Sequence, residues 1–412
     1  MRTIIPANEG WEFSRANSSF KTVRLPHQAL PEPSHIMSPR TEAVVYRYAF
    51  DAPEAWRGKI VEMSIGAAMQ VARVFVNDRY SFTHFGGYQR FIIPLTDNLR
   101  FGGRNVVRIE LDNRPADDVP PGKPINEIDY CYHSGLHRDA WLAVYDRVHI
   151  SDELSVQVPA GGGLFVRTEG IADGAATIVA ECHVVNEYTN EERFAYLGKP
   201  PVGPLSAHLA ILAPDGQMLA EADAPSVSLL GNNDHTFRFR VELANAPLWS
   251  TDAPNLCTAR FELLLDGRLQ DRRETRFGIR TIRFTREGFF LNGVKTPLLG
   301  TNRHSEYPFV GNALTPNANR RDANLIRRAG HNFVRLSHYT QDPAFLDACD
   351  EIGLLVMQPI PGWQYYSINE AFVNHAVRDV REMVRAFRNH PSVVLWETSL
   401  NESYPPSWLN TA

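Results

Sequence analysis

The sequence predicts two β-sandwich domains followed by a parallel α/β segment, and three observations carry that expectation. Between residues 44 and 150, and again between 154 and 276, short runs rich in β-branched and aromatic side chains alternate with turn residues. After residue 277 strand-like runs and amphipathic helical stretches alternate four times. The length of 412 residues leaves room for two to four domains at roughly 100–200 residues each.

In the first β region, residues 44–50, 71–76 and 106–111 read as strands, with Asn77-Asp78, Gly86-Gly87 and Gly102-Gly103 as punctuation. The pattern is that of an antiparallel sandwich. The second β region places Asp215-Gly216 and Asp266-Gly267 as hairpin turns, the latter between runs at 261–265 and 268–275. Its length of roughly 120 residues suits an immunoglobulin-like domain, and the glycines at 161–163 read as a loop inside it.

Beyond that the period changes. Residues 298–301 read as a strand, 319–329 as a helix closed by Gly330, and 333–336 as a second strand. Asp342 followed by Pro343 supplies an N-cap with proline at the first helical position, and Gly353 ends that helix. Residues 354–357 are a third strand. The stretch 369–387 sets Phe372, Val373, Ala376, Val377, Val380, Met383, Val384 and Phe387 on one stripe, and 393–396 is a fourth strand. The pattern fits either a (β/α)₈ barrel or a doubly wound sheet.

Composition excludes several functions. With 42 Lys+Arg against 47 Asp+Glu, the net charge of -5 leaves no basic excess for a nucleic-acid backbone. No apolar run approaches the roughly 20 residues that cross a bilayer, so no membrane partner is expected. Residues 1–6 lack the apolar stretch of a secretory leader, and the cysteines at 131, 182, 257 and 349 lack paired spacing. A cytoplasmic location is expected unless a leader has been removed.

In a parallel α/β domain functional groups gather at the carboxyl ends of the strands. Those ends carry 302–307 (Asn, Arg, His, Ser, Glu, Tyr), Ser337-His338-Tyr339, a segment from Gln358 to Trp363, and one from Glu397 to Glu402. Hydrogen-bonding and aromatic side chains together suit a polyhydroxylated ring, whose hydroxyls need directional partners and whose apolar face stacks. Plainer readings stand beside this: Asn401-Glu402 as a helix cap, His304 and His338 as core histidines, and Trp363, Tyr365, Tyr366 and Trp396 as packing. Cys131, His133 and His137 lack a fourth zinc ligand at suitable spacing. Arg378, Asp379, Arg381 and Glu382 read as the solvated face of their helix.

These residues resemble glycoside hydrolase family 2, which holds β-galactosidases, β-glucuronidases and β-mannosidases. The runs at 332–339 and 387–396, the latter continuing to Asn401-Glu402, are similar to the family's two signatures. Asn292-Gly293 with 300–304 is similar to its entry into the barrel. Leu25-Pro26-His27, Gly86-Gly87-Tyr88 and 134–139 resemble its sugar-binding jelly roll. The resemblance implies a jelly roll over 1–152, an immunoglobulin-like sandwich over 153–278 and the first half of a (β/α)₈ TIM barrel over 279–412. It implies a retaining exo-β-glycosidase of carbohydrate metabolism acting on β-galactosides or β-glucuronides, and it allows a homo-oligomer for the full-length form. Glu402 would be the general acid/base, Asn401 would hold the 2-hydroxyl, and Arg335, His338, His304 and Trp363 would line the sugar subsite.

Several positions depart from the pattern. Leu336 and Thr340 stand where a small residue and proline are preferred, Glu397 where glycine or serine is usual, Ser305 where glutamate is frequent, and Gln358-Pro359 at a commonly acidic strand end. The carboxylate and histidine that hold magnesium in galactosidases have no counterpart, so no metal or cofactor is carried over. The family's nucleophile lies on the seventh barrel strand, and no glutamate follows Glu402. The chain alone is therefore expected to be inactive. The competing readings are a carbohydrate-binding or assembly fragment that needs a complementary chain, and a zinc hydrolase using His304 and His338.

Overall fold

The computed structural model describes residues 1–15, 18–30, 41–122, 128, 130–156, 158, 161–188, 203–362 and 365–399. Two antiparallel sheets form the N-terminal sandwich. One runs Thr3–Pro6, Ala140–Tyr145, Ile60–Ile65, Phe91–Pro94; the other runs Lys21–Val23, Trp11–Arg15, Ala43–Ala52, Gly103–Asp112, Val71–Val76, Arg79–Phe85. Alternation explains the layer: along Gly103–Asp112 the residues Asn105, Val107, Ile109 and Leu111 point inward onto a core with Trp11, Tyr46 and Met63. Asn77 and Asp78 both take positive φ, 49° and 65°, the turn that suits a two-residue hairpin.

A second sandwich packs Ala175–Asn186, paired along its length with Asn233–Ala244 and with Gly163–Ala172, against Leu205–Leu212 and Cys257–Leu265. The short strand Val148–Ile150 also pairs with Ala175–Asn186. No disulfide forms, and Cys182, Cys257 and Cys349 are buried.

The remaining described chain is a parallel sheet of four strands in sequence order: β1 (Gly300–Arg303), β2 (Phe333–Leu336), β3 (Leu355–Pro359) and β4 (Val393–Glu397). Helices α1 (Pro316–Arg328), α2 (Pro343–Ile352) and α3 (Glu370–Phe387) connect them. Thr315, Asp342 and Asn369 cap the three helices by accepting a hydrogen bond from the first turn, and Gly353, at φ 71°, closes α2 in the left-handed conformation. β1 begins at 300 rather than 298; the Leu299 N–H goes to the Asn332 side chain, Oδ1, instead of to a backbone carbonyl. No helix among the described residues is long and apolar enough to cross a membrane.

One expectation fails on α3. Asp379 is fully buried, Arg378 donates to Phe85 O of the first sandwich, and His375 stacks on Phe85 at 4.8 Å and bonds Asp118 O at 2.7 Å. Arg385 donates to Val156 O and Val158 O. The helix is wedged between the sheet and the first sandwich, so only Arg381 of the four expected surface residues is exposed. A buried carboxyl in that wedge loses hydration, and Glu382 is pushed up to about 7 by burial against the opposing pull of Arg378.

Candidate active site at the strand ends

The carboxyl ends of β1 to β4 form one surface, and three of the expected site residues meet there. His304 leaves β1 and His338 leaves β2, with ring centroids 5.4 Å apart in an edge-to-face arrangement. Arg335, on β2, reaches past β3 to Glu397 at the end of β4: Nη2 lies 2.6 Å from Oε1 and Nε 3.0 Å from Oε2. Alternate strands of a barrel-like sheet send side chains into one layer, which explains why β2 and β4 can share a fork-to-carboxylate pair. Glu397 is only 7% exposed.

The first sandwich supplies a wall. Tyr130 lies 5.8 Å from His304 and 6.1 Å from His338, and Tyr88 stacks on Tyr339 at 4.3 Å. The Arg138 guanidinium is buried and donates to Tyr88 O and, at 2.6 Å, to Thr340 O, while Gln89 donates to Thr340 Oγ1 at 2.9 Å. Thr340, where the family pattern prefers proline, thus uses its hydroxyl to tie the sandwich to β3, donating to Pro359 O. On β1, Arg303 is locked by Asp322 and Asn319 of α1, and Tyr339 Oη accepts from Ser305 N.

Burial pushes His338 down to about 3, with the Arg335 charge and His304 acting in the same direction. At neutral pH it is an uncharged hydrogen-bonding ring, suited to a sugar hydroxyl. Gln358 on β3 is fully buried, and neither polar atom of its carboxamide has a partner among the described residues. Such a group leaves hydrogen-bonding capacity at the strand end for a ligand.

Asn401, Glu402 and Trp363 lie outside the described residues. Tyr365 and Tyr366 sit edge-on to Phe372 of α3. Of the Cys131, His133 and His137 trio, His137 bonds Gly87 O at 2.8 Å, whereas His133 meets Glu306 from the loop after β1. The partnership of Arg335 with Glu397, the Tyr130 wall and the role of Glu306 escaped the sequence reading. The aromatic run Tyr130-Cys131-Tyr132-His133 is the sequence signal from which such a wall could be read.

Residues 162–280 match the family model described as glycosyl hydrolases family 2, and residues 282–410 match the one described as glycosyl hydrolases family 2, TIM barrel domain. The chain belongs to glycoside hydrolase family 2. Family 2 relatives include a β-galactosidase of Thermoanaerobacterium thermosulfurigenes, 30% identical over 98% of this chain and 54% of its own length. A putative β-glucuronidase of Formosa agariphila is 28% identical over 95% of this chain and 44% of its own. The family 2 fold is shared with a solved Bacteroides uniformis β-glucuronidase at a TM-score of 0.84 and 26% identity, covering 96% of this chain and 46% of that one. The chain spans about half the length of the curated relatives it matches.

Proposed function

We propose that this chain carries the sugar subsite and the acid/base of a retaining exo-β-glycosidase acting on β-galactosides or β-glucuronides. The observation that carries the reading is the convergence of His304, His338 and Arg335 on one strand-end surface under the Tyr130 wall. Relatives named for both activities support it.

In this reading Glu402 protonates the leaving oxygen and then deprotonates water, and Asn401 holds the 2-hydroxyl through a bond that strengthens as oxocarbenium character develops. His338, neutral, and Gln358 take ring hydroxyls. Glu397 neutralises and aims Arg335 without itself being free to attack. Retention needs a second carboxylate about 5–5.5 Å from the first, and in this reading a segment outside residues 1–412 supplies it, with the rest of a (β/α)₈ barrel.

The test offers aryl β-galactoside and β-glucuronide to the 412-residue chain and to a protein of the relatives' length. Turnover is expected only from the longer protein, with Glu402→Gln lowering it by about 10²–10⁴-fold. Robust hydrolysis by the short chain would refute the external nucleophile, and an unimpaired Glu402→Gln enzyme would refute the acid/base.

A further inference from the structure

We propose that Cys131, His133 and Glu306 form a metal site of the zinc class that pins the first sandwich to the loop after β1. The three donor atoms all lie within 4.8 Å of one another, and His133 Nε2 and Glu306 Oε2 are 3.0 Å apart. A tetrahedral ion with bonds of 2.0–2.3 Å needs its donors about 3.3–3.7 Å apart. Side-chain adjustments of a fraction of an ångström to about one ångström admit it.

The donor set decides the class. Thiolate, imidazole and carboxylate together suit zinc, and they do not suit magnesium or calcium, which ask for oxygen alone. Cys131 is partly exposed and the Glu306 side chain is 23% exposed, so the fourth position opens to water. Charge supports the assignment as well. The ion displaces one proton from the thiol, and its two positive charges are then balanced by thiolate and carboxylate. The site is neutral where it is most buried, at His133.

The cost falls on Gln28. Its Nε2 now donates to Leu30 O at 3.1 Å and to His133 Nδ1 at 3.1 Å, which leaves the ring proton on Nε2 facing Glu306. With metal on Nε2 the proton moves to Nδ1, and the Gln28 carboxamide must turn to present its oxygen. Metal-bound histidines usually give that second proton to a carboxylate or carbonyl. A carboxylate at position 28 should therefore tighten the site.

The experiment titrates the 412-residue chain with Zn²⁺ and, separately, with Co²⁺. One ion per chain, about one proton released per ion, and a thiolate-to-cobalt charge-transfer band are expected. The band should vanish in Cys131→Ser. Zinc affinity should fall in Glu306→Gln by more than the roughly 10–100-fold that loss of a supporting residue costs, and rise in Gln28→Glu. Mg²⁺ should not compete. Cys131→Ser and Glu306→Gln are nearly isosteric, and their melting curves without metal check the fold. Absence of saturable binding, a charge-transfer band that survives Cys131→Ser, or unchanged affinity in Glu306→Gln would overturn the site.

Discussion

Two histidines, His338 buried and His390 half-buried, sit at opposite ends of the same four-stranded sheet and are driven in opposite directions. At the carboxyl end His338 is pushed down to about 3 by burial, reinforced by Arg335 and His304. At the amino end burial would also lower His390, but the charge of Asp350, its hydrogen bond at 2.6 Å and the charge of Asp347 outweigh it and hold His390 above its ordinary value. Asp350 also accepts from Ser392 N at the mouth of β4, and Asn389 clamps Leu164 and Val166 of the second sandwich. A cavity of about 370 Å³ lies beside this cluster, lined by Arg273, Arg276, Arg385 and Arg388, whose groups serve carbonyls and carboxylates of the interface. The amino end pairs His390 with Asp350, although the buried Ser392 hydroxyl has no partner among the described residues. The carboxyl end keeps an uncharged ring and a carboxamide neither of whose polar atoms has a partner among the described residues.

The largest expected effect breaks the amino end. Asp350→Ala strands His390 and the Ser392 N–H, and should cost about 3–5 kcal/mol in a urea titration followed by tryptophan fluorescence. At the carboxyl end the milder Glu397→Gln leaves Arg335 an acceptor and should cost about 1–3 kcal/mol. Equal losses would erase the distinction. Between the two ends, Glu382→Gln removes a carboxyl whose folded value of about 7 exceeds its ordinary 4.5. Protonation favours the fold between those values, so stability falls as pH rises through them, and the variant should gain about 1–2 kcal/mol at pH 8 and little at pH 4.

The smallest effect is the sharpest in sign. His390 has a raised folded value, so its contribution is full below 6.5 and fades as pH rises through that folded value. His338 is lowered, so the folded chain holds fewer protons than the unfolded one and loses stability as pH falls from 6.5 toward 3. His390→Gln should therefore lower the melting temperature more at pH 6 than at pH 9, and His338→Gln more at pH 8 than at pH 5. Parallel pH profiles in differential scanning fluorimetry would contradict this.

Much of this was legible because local signals agree with the fold. Asp342-Pro343 and Gly353 bracket α2, and the stripe from Phe372 to Phe387 defines α3. The polar face of α3 departs from the expectation because its second neighbour is a sandwich more than two hundred residues earlier, against which Asp379 is buried and to which Arg378 donates. Glu397 looked like a departure from the family pattern, and only the shared layer of β2 and β4 gives it Arg335 as a partner. Glu306 meets His133 across 173 positions, a separation at which spacing carries no information.

The proposed function has the carboxyl end of the sheet take the sugar and the amino end leave it alone. Saturation-transfer NMR of the 412-residue chain with galactose and with glucuronate tests it directly. Transfer from the protein to at least one of them is predicted for the wild type and for His390→Gln, and its loss for Arg335→Ala and for His338→Ala. Undiminished transfer in Arg335→Ala and His338→Ala, or its loss in a folded His390→Gln, would contradict the account.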